Sequence, residues 1–199
     1  MSGPDQSTRR NFLTGALATT GFALGIDGAV AEPALAPTPQ CHDGDAPTMR
    51  ETEGPFFKPR SPERTDLLEP GLKGVPVDLT GLVLSRSCRP LAGALVDLWH
   101  ADDDGEYDNT GFRFRGHQLT DGQGRFRFRT IKPAAYVGRT RHYHVKLQAP
   151  GSRLLTTQLY FPGEPLNRRD GLFRNELLMQ VAQAGDGLSA RFDFILDMR

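Results

Sequence analysis

Residues 136–148, Tyr136-Val-Gly-Arg-Thr-Arg-His-Tyr-His-Val-Lys-Leu-Gln148, form the stretch that decides how this chain folds. From His142 onward polar and apolar side chains alternate, and in a β-strand residues two apart point to the same face. His142 and His144 therefore share one face, while Tyr143 and the two aliphatic residues after it share the other. The pattern predicts a half-buried strand whose polar face presents two imidazoles.

Short apolar runs separated by turn signals recur along the chain at intervals of roughly 8–12 residues. The predicted strands cover residues 77–84, 93–99, 117–120, 125–129, 142–148, 156–161 and 191–197. Asp121-Gly-Gln-Gly124 predicts a hairpin turn between the third and fourth of them, and residues 175–181 are expected to form a short helix. The predicted fold class is all-β, an antiparallel β-sandwich of about seven to eight strands with long loops and little helix.

The charge balance limits the kinds of partner. The chain has 24 basic and 24 acidic residues, so there is no electrostatic reason to expect nucleic acid or an anionic membrane surface. Phosphate-binding and hydrolase motifs such as G-x-x-x-x-G-K-[ST] and G-x-S-x-G are absent from the sequence. No nucleic-acid partner is therefore expected, and a homo-oligomer stays open.

The first residues predict export. Thr8-Arg-Arg-Asn-Phe-Leu13 is a twin-arginine pattern, an apolar segment follows it, and Ala29-Val-Ala31 supplies small residues for a cleavage site. The apolar segment is too short and too rich in Gly, Ala and Thr to form a stable membrane span. We expect a signal peptide over residues 1–31, a periplasmic or extracellular location, an arm or linker over residues 32–74 and one folded domain over residues 75–199.

Cys41 and Cys88 are the only two cysteines of the chain. In an oxidising compartment they can form a disulfide that ties the arm to the first strands. Two free thiols are the alternative. Because no C-x-x-C pair exists, a structural zinc site is disfavoured.

Four tyrosines and five histidines offer candidate metal donors. A hard trivalent ion such as Fe(III) prefers anionic oxygen donors, and it stabilises the phenolate of a tyrosine whose free pKa is about 10. Two phenolates and two neutral imidazoles would give a centre of low net charge with room for a further ligand. The candidate donors are Tyr107, Tyr136, His142 and His144.

Three stretches resemble the intradiol ring-cleavage dioxygenases, non-haem Fe(III) enzymes that open catechols between their two hydroxyls. Residues 93–107, Gly-Ala-Leu-Val-Asp-Leu-Trp-His-Ala-Asp-Asp-Asp-Gly-Glu-Tyr, match a strand followed by a glycine-bounded tyrosine ligand. Residues 129–136, Arg-Thr-Ile-Lys-Pro-Ala-Ala-Tyr, match the run to the second tyrosine ligand. Arg139-Thr-Arg-His-Tyr-His144 places an arginine three residues before a His-x-His pair, and Gln158 matches a glutamine that lies near the substrate.

The resemblance implies that residues 75–199 are a catalytic domain that cleaves a catecholic ring with O2 and gives a cis,cis-muconate-type product. One non-haem Fe(III) ion per chain would be bound by Tyr107, Tyr136, His142 and His144. The catechol and O2 would be the small-molecule partners.

The resemblance also implies a role for each catalytic residue. Tyr107 would stay on the iron, while Tyr136 would leave when substrate binds and take a proton from the catechol. Arg139 would place a cation beside the ring carbon that gains carbanion-like density when O2 attacks, with Arg141 as its rival. Gln158 would help to position the intermediate that follows.

Two departures from the family bear on the substrate. Only five residues separate Tyr136 from His142, fewer than in many catechol and protocatechuate enzymes, so we expect a shorter pocket wall. Residues 32–74 lack the periodicity of the helical dimerisation segment that catechol-specific members carry. Two other classes of function stay open, an exported β-sandwich ligand-binding module without a redox metal and a zinc or copper protein that uses the two histidines with another donor.

Overall fold

The computed structural model describes residues 41, 42 and 44–198. The signal peptide expected over residues 1–31 lies outside the described residues, as does the first part of the expected arm, residues 32–40. Within the described part of the chain, no helix has the length and apolar character needed to cross a membrane.

Nine strands and two short 3₁₀-helices make up the regular structure of the described residues. The strands are β1 Pro76–Ser85, β2 Leu95–Trp99, β3 Arg115–Leu119, β4 Arg125–Ile131, β5 His142–Gln148, β6 Leu155–Tyr160, β7 Gln180–Ala184, β8 Gly187–Arg191 and β9 Phe194–Leu196. The 3₁₀-helices are Pro165–Arg168 and Asn175–Leu177. The prediction of an all-β fold with little helix is confirmed.

The strands form two sheets. The first has the order β4-β1-β8-β7, with β9 also paired to β1, and the second has the order β3-β2-β5-β6. Every pair in the second sheet is antiparallel. In the first sheet β1 runs parallel to β8 and to β9, so this sheet is mixed. The predicted sandwich is confirmed, and the parallel pairs are a feature that strand patterns alone did not predict.

The core lies between the two sheets and is filled from alternate strand positions. On β4 the side chains of Phe126 and Phe128 are buried, while the three arginines that alternate with them are exposed. On β5 Tyr143, Val145 and Leu147 are at most 1% exposed. Full burial of one such side chain contributes about 1.5–3 kcal/mol, so the alternation sets which face of each strand turns inward.

The hairpin predicted at Asp121–Gly124 is wrong, although its turn forms. The Asp121 carboxylate accepts hydrogen bonds from the backbone amides of Gln123 and Arg125, at 2.9 and 2.8 Å. The strands on either side then separate, because β3 pairs with β2 and β4 pairs with β1. The Gly124 carbonyl accepts a bond from the Val83 amide at 2.8 Å, which directs the chain from the second sheet to the first.

The C-terminal part also differs from its prediction. The helix expected over residues 175–181 is limited to Asn175–Leu177, after which the chain becomes β7. The strand expected over residues 191–197 is divided between β8 and β9. At the break, the buried carboxylate of Asp193 accepts a bond from the Leu82 amide at 2.9 Å, so a side chain replaces one backbone partner of β1.

The described part of the arm lies on the sandwich. Cys41 and Cys88 form a disulfide with their Cα atoms 5.7 Å apart, which decides between the two states left open by the sequence. Beyond it, the Thr48 amide donates to the Ile195 carbonyl at 2.9 Å. These bonds tie the start of the arm to the first sheet.

Further along, the arm crosses the outer face of the second sheet from one edge to the other. The Glu51 amide donates to the Thr156 carbonyl of β6 at 2.9 Å, and the His117 amide of β3 donates to the Pro62 carbonyl at 3.0 Å. Leu67, which is fully buried, then joins the core. This crossing covers the start of the polar face of β5, so His142 and His144 are buried rather than exposed on a half-buried strand, while Gln148 at the end of the strand is exposed.

Candidate metal centre

β5 brings the two predicted histidines together on the outer face of the second sheet. The Nε2 atoms of His142 and His144 lie 3.2 Å apart. His144 is opposite Trp99 on β2 and opposite Gln158 on β6. The indole of Trp99 stacks on the His144 ring, with centroids 5.0 Å apart and planes inclined by 5°. The sheet therefore fixes the histidine pair from both sides.

Both predicted tyrosines reach this pair from separate loops. Tyr107 comes from the loop between β2 and β3, and Tyr136 from the loop between β4 and β5. The ring centroids of the two tyrosines are 5.5 Å apart, that of Tyr136 lies 5.9 Å from that of His142, and that of Tyr107 lies 6.1 Å from that of His144. All four candidate donors thus meet at one point of the fold.

His142 and Tyr107 each keep an atom that can bind a cation. His142 Nδ1 lies 2.6 Å from the Thr140 carbonyl, so this nitrogen carries the proton and Nε2 keeps its lone pair. The Tyr107 hydroxyl is buried and has no hydrogen-bond partner among the described residues. An unpaired buried hydroxyl is costly, whereas a metal-bound phenolate would satisfy this oxygen.

Burial shapes the protonation of the same groups. It lowers the pKa of His142 to about 4 and that of His144 well below its usual range, so both imidazoles are neutral at pH 7. Burial, with the Tyr136 oxygen as a second cause, raises the pKa of Tyr107. Without a cation this phenol stays protonated, and a high-charge ion would reverse that shift. The donor set therefore fits a metal that binds neutral imidazoles and phenolates.

Among the described residues no group of three or more His, Cys, Asp or Glu side chains is placed to hold a metal. A metal at His142 and His144 would thus take its further protein donors from the tyrosines. Phenolate oxygen suits a hard ion better than zinc or copper(I), which take nitrogen and sulfur readily. The donor set therefore favours a hard ion over zinc or copper.

Arg139 and Gln158 form a fixed polar group beside the histidines. The Arg139 guanidinium donates to both carboxylate oxygens of Asp170, at 3.1 and 2.9 Å, and to Gln158 Oε1 at 2.5 Å. Gln158 is fully buried, and its Nε2 donates to the Thr52 carbonyl at 3.0 Å. Both predicted catalytic side chains therefore lie at the centre with set orientations.

Asp170 is the residue that keeps this arginine in place. Burial alone would raise its pKa, but the amides of Leu172 and Thr140 and the Arg139 guanidinium outweigh burial and lower the pKa. Arg141, the rival of Arg139, instead pairs with Glu164 at 3.2 Å. The geometry thus favours Arg139 as the arginine of the site.

Three contributors to the site were missed by sequence reasoning. Phe56 stacks on Tyr107 with ring centroids 4.4 Å apart, Arg115 donates to the Phe56 carbonyl at 2.7 Å, and Asp170 holds Arg139. Phe56 lies in the expected arm, and no periodic pattern of the sequence links the arm to Tyr107. Asp170 is a single aspartate in a long loop, so the sequence does not indicate that it binds Arg139.

The fold and the site together define a class, a β-sandwich protein with a buried candidate metal centre of two tyrosines and two histidines. Comparison with known families agrees with this class, since the family model described as Dioxygenase matches residues 52–198. The chain belongs to the intradiol ring-cleavage dioxygenase family.

Among curated relatives, the chain is 33% identical over 153 residues to the protocatechuate 3,4-dioxygenase beta chain of Burkholderia cepacia, covering 62% of this chain and 65% of that protein. It is 33% identical over 156 residues to the 6-chlorohydroxyquinol 1,2-dioxygenase of Cupriavidus pinatubonensis, covering 64% of this chain and 55% of that protein. The chain thus spans less than two thirds of the length of these relatives.

Solved structures show the same fold. One is the dioxygenase domain of a dioxygenase carbohydrate-binding protein fusion from Streptomyces sp. SirexAA-E, 56% identical, with a TM-score of 0.75, covering 77% of this chain and all of that one (100%). Another is 3-chlorocatechol 1,2-dioxygenase of Rhodococcus opacus 1CP, 29% identical, with a TM-score of 0.72, covering 77% of this chain and 74% of that one.

Proposed function

We propose that this protein is a non-haem Fe(III) enzyme that cleaves a catecholic ring between its two hydroxyls with O2, giving a cis,cis-muconate-type product. The observation that carries the proposal is the convergence of Tyr107, Tyr136, His142 and His144. The buried Tyr107 hydroxyl, moreover, has no hydrogen-bond partner among the residues that the structure describes. Membership of the dioxygenase family supports the same reaction.

One iron ion per chain would be held by Tyr107, Tyr136, His142 and His144. When bound, the ion would supply a redox-capable Lewis acid that can make a catechol ring reactive toward O2. The protein keeps the imidazoles neutral by burial, and it provides two oxygen donors that become anionic on binding.

The two tyrosines are suited to different tasks. Tyr107 is only 8% exposed and lies under the Phe56 ring, which favours a permanent ligand. Tyr136 stands at the start of a two-residue turn, and its backbone is hydrogen-bonded to that of Arg139 across the turn, at 2.7 and 3.3 Å. Its phenolate oxygen is the group that would accept a proton from an incoming catechol hydroxyl.

Arg139 and Gln158 would act on the bound ring. The guanidinium of Arg139 is held by Asp170, so it is oriented before substrate arrives and can stabilise negative charge that develops on a ring carbon. Gln158 is held at both ends of its amide, by Arg139 and by the Thr52 carbonyl. Groups fixed in this way need no reorganisation during the reaction.

Export through the twin-arginine route, to the periplasm or beyond the cell, is part of the proposal. It rests on the pattern at residues 8–13. The disulfide between Cys41 and Cys88 supports it, because disulfides persist in oxidising compartments.

The test is the metal content and visible spectrum of the purified protein, followed by turnover of a panel of catechol, hydroxyquinol and protocatechuate, the substrate types in the relatives' names. We expect one iron per chain, a wine-red tyrosinate-to-Fe(III) band and ring-opened acid as product. Tyr143→Phe, which removes a hydroxyl on the opposite face of β5, should keep the colour. Stoichiometric zinc in a colourless protein, or iron without any turnover, would contradict the proposal, and the latter result would favour a binding module.

A further inference from the structure

The carboxamide of Gln158 has a further hydrogen-bond partner besides Arg139 and the Thr52 carbonyl. The Tyr160 hydroxyl donates to Gln158 Oε1 at 3.0 Å. The two residues are two apart on β6, so their side chains lie on the same face of the second sheet, and both are fully buried. The Tyr160 ring lies next to the candidate centre, with its centroid 6.0 Å from that of His142.

These contacts fix which end of the Gln158 carboxamide is the oxygen. The atom that faces Arg139 must accept a hydrogen bond, because a guanidinium has donors and no acceptor. The atom that faces the Thr52 carbonyl must donate one. A rotated amide would place its NH2 group against the guanidinium and its oxygen against a carbonyl, and both contacts would be repulsive. As a second donor to Oε1, the Tyr160 hydroxyl stabilises the observed orientation.

The Tyr160 side chain is itself held on several sides. Its ring packs edge-on against Phe173, with centroids 5.2 Å apart, and its backbone carbonyl accepts a bond from the Met179 amide at 3.0 Å. Its hydroxyl lies 2.8 Å from the Leu172 carbonyl, so its one hydrogen is shared between this carbonyl and Gln158 Oε1. The position of the hydroxyl is therefore set before substrate arrives.

The loop between β6 and β7 supports both donors to Gln158 Oε1. Asp170 binds the Arg139 guanidinium, and the carbonyl of Leu172, two residues later, faces the Tyr160 hydroxyl. Without that hydroxyl, Arg139 would keep its carboxylate partner, whereas Oε1 would lose one of its two donors inside a buried site. The loss would therefore affect the position of Gln158 more than that of the Arg139 cation.

We infer that Tyr160 is a positioning residue for ring cleavage, because its hydroxyl holds the Gln158 carboxamide in the orientation in which Oε1 faces Arg139. Tyr160 acts through Gln158 and touches neither the substrate nor the metal. This inference rests on the proposed function and adds a residue to its machinery.

The first test measures kcat and KM of iron-loaded Tyr160→Phe, which removes the hydroxyl and keeps the ring. We expect kcat to fall by about tenfold, with KM and iron per chain close to wild type. Tyr143→Phe is the matched control. Tyr143 is equally buried and also donates to a backbone carbonyl, that of Ile131 at 2.9 Å, but it lies on the core face of β5. Its removal should leave kcat unchanged.

A double-mutant cycle tests whether Tyr160 acts through Gln158. Gln158→Ala removes the group that the hydroxyl holds, so adding Tyr160→Phe to it should lower kcat no further. A residue that only stabilises the fold would lower kcat by the same factor in both backgrounds.

A third measurement needs neither iron nor turnover. Hydrogen exchange of the Gln158 side-chain NH2 group, followed by NMR of the metal-free protein, reports how firmly the carboxamide is held. We expect exchange to be about tenfold faster in Tyr160→Phe than in wild type, and unchanged in Tyr143→Phe.

The outcomes separate the two proposals. An unchanged kcat in Tyr160→Phe, an equal fall in Tyr143→Phe, a further fall in the double variant, or unchanged exchange of the Gln158 amide would overturn the inference and leave the proposed reaction standing. An iron-loaded wild-type protein that cleaves no catechol would overturn the proposed function and, with it, the role of Tyr160 in the reaction.

Discussion

Tyr107 and Tyr136 present the same chemical group to the same point, but the chain holds them in different ways. The loop of Tyr107 is fixed by Arg115, which donates to the carbonyls of Asp108 and Phe56 at 3.1 and 2.7 Å. Tyr136 precedes a strained, exposed turn. We therefore expect the two tyrosines, as proposed ligands, to have different lifetimes on a metal, because their backbones are held differently.

The largest effect is expected from removing the fixed tyrosine. Tyr107→Phe deletes a donor without changing the packing of its ring, so we expect metal affinity to fall by more than about 100-fold, beyond the loss typical of residues that only support a ligand. Turnover should disappear with the metal. Iron per chain after dialysis against a weak chelator measures this, and full retention of iron would remove the distinction between the two tyrosines.

Removing the movable tyrosine should affect turnover more than metal binding. Tyr136→Phe loses the proposed base, and general-base removal lowers kcat by about 10²–10⁴-fold. Iron content should stay well above that of Tyr107→Phe in the same dialysis. If both variants lose iron equally, the two tyrosines do not differ in the way their backbones suggest.

Acid should lower the unfolding free energy of the metal-free protein, and His100, the residue directly after β2, should contribute to this loss. Burial lowers the pKa of His100 to about 4, against about 6.5 in the unfolded chain. Between these values only the unfolded chain binds the proton, so stability falls as the pH decreases from about 6.5 to about 4, by up to about 3 kcal/mol for this residue. Urea unfolding at pH 7 and pH 5 measures this, and His100→Gln should show a shallower dependence than wild type.

Phe56→Ala tests whether the ring over Tyr107 stabilises the fixed loop. Loss of a half-buried aromatic and its stacking contact should cost about 2 kcal/mol of unfolding free energy and broaden the tyrosinate band. Phe173→Ala, which removes an aromatic that contacts Tyr160 rather than Tyr107, is the control for the band. An unchanged band in Phe56→Ala would show that the Tyr107 loop does not depend on the arm.

The smallest expected effect is a change in stability at the turn that follows Tyr136. Val137→Asn suits the left-handed conformation at +40°, so we expect a gain of about 0.5–1 kcal/mol in stability. Thermal unfolding of the metal-free protein measures it, with Leu119→Asn as the exposed control. A loss of stability in Val137→Asn would mean that the valine contributes packing after all.

Local sequence patterns predicted the strands that carry the site, because alternation reports which face of a strand is buried. His142 and His144 lie together for that reason. The same pattern does not show which sheet a strand joins, so it predicts a hairpin at Asp121 although β3 and β4 belong to different sheets. Sheet choice depends on contacts far apart in sequence, such as the bond from Val83 to Gly124.

Local sequence patterns also do not predict that the arm covers the site. The described part of the arm is irregular, and its route across β6, β5, β2 and β3 depends on single backbone bonds such as that from Glu51 to Thr156. Irregular segments have no periodicity from which a partner can be read. Asp170, which orients Arg139, also lies in a segment without periodicity, so its partner could not be predicted either.

The central claim, one fixed and one movable tyrosine on a single iron, is tested most directly by resonance Raman spectroscopy of the iron-loaded protein during anaerobic titration with 4-methylcatechol. The account predicts two tyrosinate signals before substrate and one after it. The surviving signal should be present in Tyr136→Phe and absent in Tyr107→Phe. Persistence of both signals in the substrate complex would contradict the account.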